Sequence, residues 1–413
     1  MAIIKPFKAV RPTHELAHLV AAPPYDVMDA AEARQMAAGD PHSFLHISRP
    51  EIDLPIDIDL HSEPVYQRGK ENLATFLSKG ILVQDAQEHY YIYRQQMGKL
   101  TQTGLVACSA VDDYQSGVIR KHELTRADKE DDRVSHIDFL DANDEPVFFT
   151  YRSEPAIAEL IVASATGRPE YDFIADDGVR HTMWVIRDSR AIERLTTLFA
   201  TIPTLYVADG HHRSAAASRV RDLRADANTD HRGDEEYNYF LTVIFPDSEM
   251  HIMPYNRVVR DLNRLTVAEF MSRVAERFDI TPVSRSVEPA ERHQFGMYLA
   301  GKWYELTARE DAFDSSEPVA RLDVSILQDN LLNPVLGIRN PRVDQRLHFV
   351  GGIRGGAELE RLVDGGEYAV AFSLHPTSIE ELMELADADR IMPPKSTWFE
   401  PKLRSGLFVH LLK

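Results

Sequence analysis

The run Tyr206-Val207-Ala208-Asp209-Gly210-His211-His212-Arg213 constrains the fold more than any other stretch of the chain. Its first half has the aromatic and β-branched composition of a buried strand. Gly210 then supplies the backbone freedom for a sharp turn. Beyond it Ala216, Val220, Leu223 and Ala227 recur at spacings of four, three and four, which marks one apolar face of a helix. A strand that passes through a glycine turn into a helix is a building step of an α/β architecture. The start of such a helix exposes unpaired backbone N–H groups that favour an anion. His211, His212 and Arg213 put positive side chains there, which is unfavourable against the helix dipole unless an anion is bound, and Arg213 could grip one with a bidentate fork. The competing reading is structural: the histidines hydrogen-bond within the fold and Arg213 pairs with an acidic neighbour.

A chain of 413 residues exceeds what one hydrophobic core usually supports, so two or three subdomains are expected. A boundary near residue 260 gives an α/β core over 1–260 and a C-terminal α/β subdomain over 261–413. With 44% hydrophobic and 27% charged residues, the composition argues against wholesale disorder. No apolar run approaches the roughly 18 residues needed to span a bilayer. The N-terminus lacks the basic segment, apolar core and small-residue cleavage site of an export signal. Cys108 is the single cysteine, which rules out an internal disulfide and a multi-thiolate zinc site, and a cytoplasmic setting without membrane contact is expected. A formal charge of −19 disfavours nucleic acid as a partner. A small anion needs only a local cluster of Arg, Lys and His.

Periodicity and turn residues predict helices over 29–36, 65–77, 189–199, 267–278 and 379–388, with Val134, Ile137 and Leu140 marking another. Strands are predicted over 89–95 and 103–111, joined at Met97-Gly98-Lys99, and over 145–151, 239–245, 302–306 and 368–374. A hairpin is expected over 171–187, turning at Asp176-Asp177-Gly178.

Other constellations can carry chemistry. The segment 120–133 mixes both charge signs densely. In a functional reading Lys121, His122, Thr125, Lys129 and Arg133 line a nucleotide's phosphates while Glu123 or Asp132 holds Mg2+. In the plainer reading Thr125 caps a solvated helix start laced with i,i+4 pairs. Pro23-Pro24-Tyr25-Asp26 makes a rigid extended turn, so Asp26 is a candidate general base or else the cap of the next helix. Residues 349–356 are glycine-rich but have neither the Lys-Ser/Thr of a Walker loop nor the Rossmann spacing. Lys395-Ser396-Thr397 follows two prolines and could line a pocket or form a simple turn.

Gly210-x-His212-Arg213-x-x-Ala216 resembles the turn-and-helix motif of the ParB/sulfiredoxin-like superfamily, whose members bind nucleotide phosphates at this place. That superfamily includes CTP-binding partition proteins, ATP-dependent sulfiredoxins and free-serine kinases. A wider set of motifs, Pro23-Pro24-Tyr25-Asp26-Val27, His122-Glu123-x-Thr125, Lys129-x-x-Asp132-Arg133, the Asp209–Arg213 turn and Met392-Pro393-Pro394-Lys395-Ser396-Thr397, resembles a bacterial and archaeal family known as a domain of unknown function. The resemblance implies a mixed α/β, ParB/sulfiredoxin-like core with an additional mixed-sheet subdomain. It further implies a nucleotide-dependent kinase that uses ATP or ADP with Mg2+ to phosphorylate the hydroxyl of free serine or a similar metabolite. On that analogy Asp209, His211, His212, Arg213 and Asp26 are the catalytic candidates, and Gly210, Lys395, Ser396 and Thr397 join the phosphate-binding set. Sulfiredoxin chemistry does not transfer, because it needs a cysteine in the turn where this chain has His211 and His212. Two further readings of the same anion site stay open: a nucleotide-binding switch without turnover, and a metal-dependent phosphatase.

Overall fold

Successive side chains of a strand point to opposite faces, yet Tyr90, Tyr91, Ile92 and Tyr93 are all buried, so the sheet that holds them is covered on both sides. The computed structural model describes residues 1–413, which divide into two units, Met1–Met250 with Pro401–Lys413 and His251–Glu400. In the first unit nine strands make one mixed sheet. They are β1 (Ile4–Lys5), β2 (Tyr90–Met97), β3 (Leu100–Ala110), β4 (Ile119–Arg120), β5 (Val147–Tyr151), β6 (Tyr171–Ile174), β7 (Arg180–Ile186), β8 (Leu205–Asp209) and β9 (Tyr239–Pro246). Their order is β4-β8-β5-β9-β3-β2-β7-β6, with β1 added beside β3. Only β4 with β8 and β5 with β9 run parallel. The protein is therefore mixed α/β.

Five helices of this unit position the site or build the core: α1 (Glu63–Ser78), α2 (Ala127–Leu140), α3 (Pro155–Ser164), α4 (Ser189–Phe199) and α5 (His211–Ala227). Ile157 and Ile161 of α3, Leu195 and Phe199 of α4, and Ala215 and Ala217 of α5 pack with Ile92, Leu105, Phe149 and Val207 of the sheet. α2 lies along α5 through Val134, Ile137, Ala216 and Val220. A further cluster joins Val10, Phe44, Leu73, Phe76 and Leu140 to Val409. The division expected at residue 260 falls at Met250/His251, and residues 401–413 return to the first unit. Long-range pairing is the reason: Val10 and Val409 exchange backbone hydrogen bonds of 2.9 and 2.8 Å, and the Phe408 ring packs against Tyr91 and Tyr93.

The second unit holds a six-stranded sheet, all antiparallel: β10 (Tyr255–Val259), β11 (Phe278–Val283), β12 (Gln294–Leu299), β13 (Lys302–Ala308), β14 (Leu347–Gly351) and β15 (Val370–Leu374), ordered β11-β13-β12-β15-β10-β14. Its helices include α6 (Val267–Val274), α7 (Gly355–Asp364) and α8 (Ile379–Asp387). α6 is shorter than its periodicity predicts, because Phe278 already belongs to β11 and its ladder with β13. The glycines near residue 352 have a packing cause. A Cβ on Gly352 would stand 2.6 Å from Pro254, and one on Gly351 would press on the Trp398 indole at 3.1 Å. No helix of either unit is long and apolar enough to cross a membrane.

Candidate functional site

β8 ends at Asp209 and α5 starts at His211, so the whole reversal falls on Gly210, which has a φ of +94°. A side chain is disfavoured at that φ on backbone grounds alone. A second constraint comes from Arg213, whose guanidinium folds back over the turn. A Cβ on Gly210 would meet its Nε at 3.1 Å. Gly210→Ala is therefore expected to destabilise the fold by about 1–3 kcal/mol. Urea denaturation measures this, and a variant as stable as the parent would remove both constraints.

Arg213 is buried. Its Nη1 donates to the Pro146 carbonyl, its Nη2 stands 3.8 Å from an Asp26 carboxylate oxygen, and its Nε has no partner. The Asp26 contact is within ion-pair range but too long for a hydrogen bond. Asp26 is not the cap of the next helix. That role belongs to Asp29, which accepts from Ala31 and Glu32 in a full capping box over Ala30–Met36. Asp26 is left about one-third exposed beside Arg213.

Glu145, two residues before β5 begins at Val147, belongs to the same cluster. Its carboxylate accepts from the Tyr25 N–H at 3.0 Å and from the Ser405 hydroxyl at 2.6 Å. Burial pushes its pKa up to about 7; Arg213 pulls against that, while Asp144 and Asp26 add to it. The sign of the consequence follows from linkage. A carboxyl whose folded pKa is raised contributes stability that is fully present below its ordinary value of 4.5 and is lost as pH climbs toward about 7. The parent should lose stability relative to Glu145→Gln across that window and run parallel to it above. Urea melts at several pH values check this, and a pH-independent difference would contradict it.

The two histidines at the front of the motif are not cations. His211 is buried with its Nδ1 4.0 Å from Glu123 and its Nε2 without a partner. The His122 ring meets it edge-on at 4.4 Å between centroids, and His122 Nδ1 also lacks a partner. Burial pushes His122 down to about 4, against a hydrogen bond with the Val207 backbone, and burial followed by the neighbouring His122 pushes His211 well down. Both are neutral near pH 7, so the positive charge expected of His211 is absent; burial, which sequence does not display, is the cause. His212 Nε2 accepts the Arg126 backbone N–H at 3.2 Å, and its pKa too is lowered by burial. Asp209 accepts from its neighbour Gly210 N–H at 2.9 Å and pairs with Lys402 at 3.0 Å. Burial opposes its charge, but Lys402 and then Arg213 hold the carboxyl well below the usual range. Lys402 lies 193 positions away, and no local pattern announces it.

The structure thus gathers Asp26, His122, Glu123, Asp209, Gly210, His211, His212 and Arg213 around one turn. The other expected residues have partners of their own; Arg133 lines one small cavity with Glu145 and Arg213, and Lys121 adds to the lowering of the His211 pKa. The Lys121 ammonium sits over the Tyr114 ring at 3.8 Å. Thr125 does not cap α2; it donates to Glu130, and Arg126 occupies the cap position. Lys129 is exposed on the first turn of α2. Arg133 lies over the Tyr25 ring at 4.1 Å and donates to Asp132 at 2.7 Å. Asp132 is also hydrogen-bonded to His61 and Tyr66, and although burial opposes its charge, these partners hold its pKa near 2. Glu123 is more open and stands beside His211. No group of three or more His, Cys, Asp or Glu side chains could hold a metal by itself. Magnesium in phosphoryl-transfer sites commonly takes one or two carboxylates plus phosphate oxygens, a requirement Glu123 can meet in part. Lys395, Ser396 and Thr397 belong to the second unit, where the Lys395 ammonium lies 5.1 Å from the Tyr255 ring centre and the Ser396 hydroxyl donates to Pro393.

Fold and site define a mixed α/β protein with a strand-glycine-helix turn around a buried arginine. The chain belongs to the family described as "Protein of unknown function (DUF1015)", which matches residues 4–325. No curated protein matches it. Among solved structures it is similar to a free serine kinase in complex with AMP, at 13% identity and a TM-score of 0.35 over 74% of this chain and 91% of that one. It is also similar to a conserved hypothetical protein from Pyrococcus furiosus, at 14% identity and a TM-score of 0.35 over 75% and 95% of the two chains. A third is SbnI with C-terminal truncation from Staphylococcus aureus, at 12% identity and a TM-score of 0.40 over 74% and 87%.

Proposed function

We propose that the Asp209–Arg213 turn binds the phosphates of a nucleotide, ATP or ADP, and that the protein transfers a phosphoryl group to a small hydroxyl-bearing metabolite of the free-serine type. The observation that carries this reading is the state of Arg213. Its guanidinium is buried at a helix start, its Nε has no partner, and its nearest acidic partner outside the turn, Asp26, is held just beyond hydrogen-bond distance. A phosphate oxygen at the α5 N-terminus would meet the helix N–H groups and that cation together. Asp209 does not cancel the attraction, because Lys402 neutralises it.

In the transfer, the acceptor oxygen forms the new bond to phosphorus as the bond to the leaving phosphate oxygen breaks. The hydroxyl proton passes to Asp26, whose partial exposure beside Arg213 suits a general base. Arg213 stabilises the charge on the transferred group, and Gly210 lets the backbone approach it. His211 and His122, being neutral, can donate or accept a hydrogen bond without changing the charge of the site. Magnesium, held in part by Glu123, would supply further neutralisation between phosphate oxygens.

The test is a thermal-shift series with ATP, ADP, CTP and GTP plus magnesium, each with and without L-serine, followed by 31P NMR of the reaction. Phosphoserine formed at the expense of the nucleotide supports the reading. Nucleotide binding without an acceptor-dependent product favours the switch instead, and phosphate release from phosphoserine without nucleotide favours the phosphatase.

A further inference from the structure

The short turn Tyr25–Val27 sends its three side chains three ways. Tyr25 is buried, with the Arg133 guanidinium over its ring, and Asp26 stands beside Arg213. Val27 is left 40% exposed. With Pro23, Met28, Glu32, Gln35 and Met36 it lines a groove of about 560 Å³, a size usual for a small-molecule site. Met36 ends the Ala30–Met36 helix and is 52% exposed.

Pro23, Val27, Met28 and Met36 make the walls of this groove mainly apolar, and none of its lining residues is a cation. Glu32 is the one charged group among them, and its carboxylate accepts the Asp29 N–H at 2.9 Å in the helix cap. Phosphate would therefore find nothing to pair with in the groove and would be repelled by Glu32. A zwitterionic acceptor of the free-serine type would bring its own carboxylate against Glu32 and leave the apolar walls uncovered. A nucleobase meets neither obstacle. It is flat and uncharged, thioethers such as those of Met28 and Met36 make favourable contacts with aromatic rings, and the Gln35 amide can both donate to and accept from its polar edge. The position agrees with the chemistry. Val27 follows Asp26 directly, at the roughly 3.8 Å that separates neighbouring Cα atoms, and the Asp26 carboxylate is 3.8 Å from Arg213. The groove thus begins one residue from the group that borders the phosphate turn, a step that a ribose would bridge.

We propose that this groove holds the base of the nucleotide whose phosphates lie at the Asp209–Arg213 turn. The proposal rests on the phosphate reading of that turn and adds to it the part of the chain that recognises the rest of the nucleotide.

The experiment titrates ADP and, separately, inorganic pyrophosphate into the full-length protein with magnesium, and repeats both titrations on a variant carrying Val27→Thr and Met36→Gln. These changes keep the shapes of two groove walls, make them polar and add no charge. Thermal melts without ligand check that the variant is folded. The parent is expected to bind ADP at least tenfold more tightly than pyrophosphate. The variant should lose that tenfold for ADP and hold pyrophosphate within twofold of the parent. Should the double variant not fold, Met36→Gln alone is read in the same way, with at least a threefold loss for ADP. If the parent binds both ligands equally well, or if the variant weakens neither, the groove does not hold the base and the proposal is overturned while the phosphate reading stands. Equal weakening of both ligands would make the groove a support for the Asp26 turn and would also overturn it. If the parent binds neither ligand, the phosphate reading itself fails and this proposal falls with it.

Discussion

Arg213→Lys is expected to lower kcat at least a hundredfold while reducing stability by only a few degrees in Tm. The lysine keeps a positive charge near Asp26 but loses the planar fork that can hold two phosphate oxygens at once. Removing one preorganised donor of developing charge typically costs about 10²–10³ in kcat. Arg213→Ala should abolish turnover, and its stability loss should depend on pH in a particular direction. The arginine lies close to Glu145, whose carboxyl is already lifted to about 7 by burial. Without the arginine that carboxyl rises further and can take up a proton, which cushions the loss. Arg213→Ala should thus be less destabilised at pH 6 than at pH 8. Steady-state kinetics beside urea melts at both pH values separate the effects. Equal loss of activity and stability in Arg213→Lys would make the arginine a structural strut.

The second large effect is expected at Asp26. Asp26→Asn should lower kcat by about 10²–10⁴, the usual worth of a positioned general base. The same change should leave nucleotide affinity intact or tighten it, since Asp26, 3.8 Å from Arg213, would compete for it with a bound phosphate. Because Asp29 rather than Asp26 caps the following helix, the substitution should barely move Tm. A drop in stability with kcat unchanged would mean that Asp26 serves only as an ion partner.

How far the site was legible in the sequence depended on whether its physics was local. The turn at Gly210 was readable because strand composition, a glycine and helical spacing occur within a few residues of one another. The hairpin of β2 and β3 and the helix α4 were readable for the same reason. Charge neutralisation was not. Lys402 reaches Asp209 from the far end of the chain, and Glu145, beside a proline at a strand start, looks like any acidic residue at an element boundary. The segment 120–133 shows the limit most plainly: its composition offers several phosphate ligands, and only the fold reveals that Arg133 and Asp132 are bound to each other below Tyr25. The protonation of His122 and His211 was equally hidden, since it depends on their burial against one another.

The return of residues 401–413 to the first unit has a consequence for how the protein is made. His251 and Glu400 lie side by side, joined by a backbone hydrogen bond of 3.1 Å, so the second unit leaves and re-enters the path of the chain at nearly one point. On a ribosome adding about 5–20 residues per second, synthesis of 251–400 takes roughly 8–30 s. Throughout that interval the nascent first unit lacks Phe408 and Val409, and the faces of Tyr91, Tyr93 and Val10 that they cover stay open to water and to chaperones. The inserted unit, contiguous in the chain, can finish folding while the unit begun before it is still waiting for its final segment.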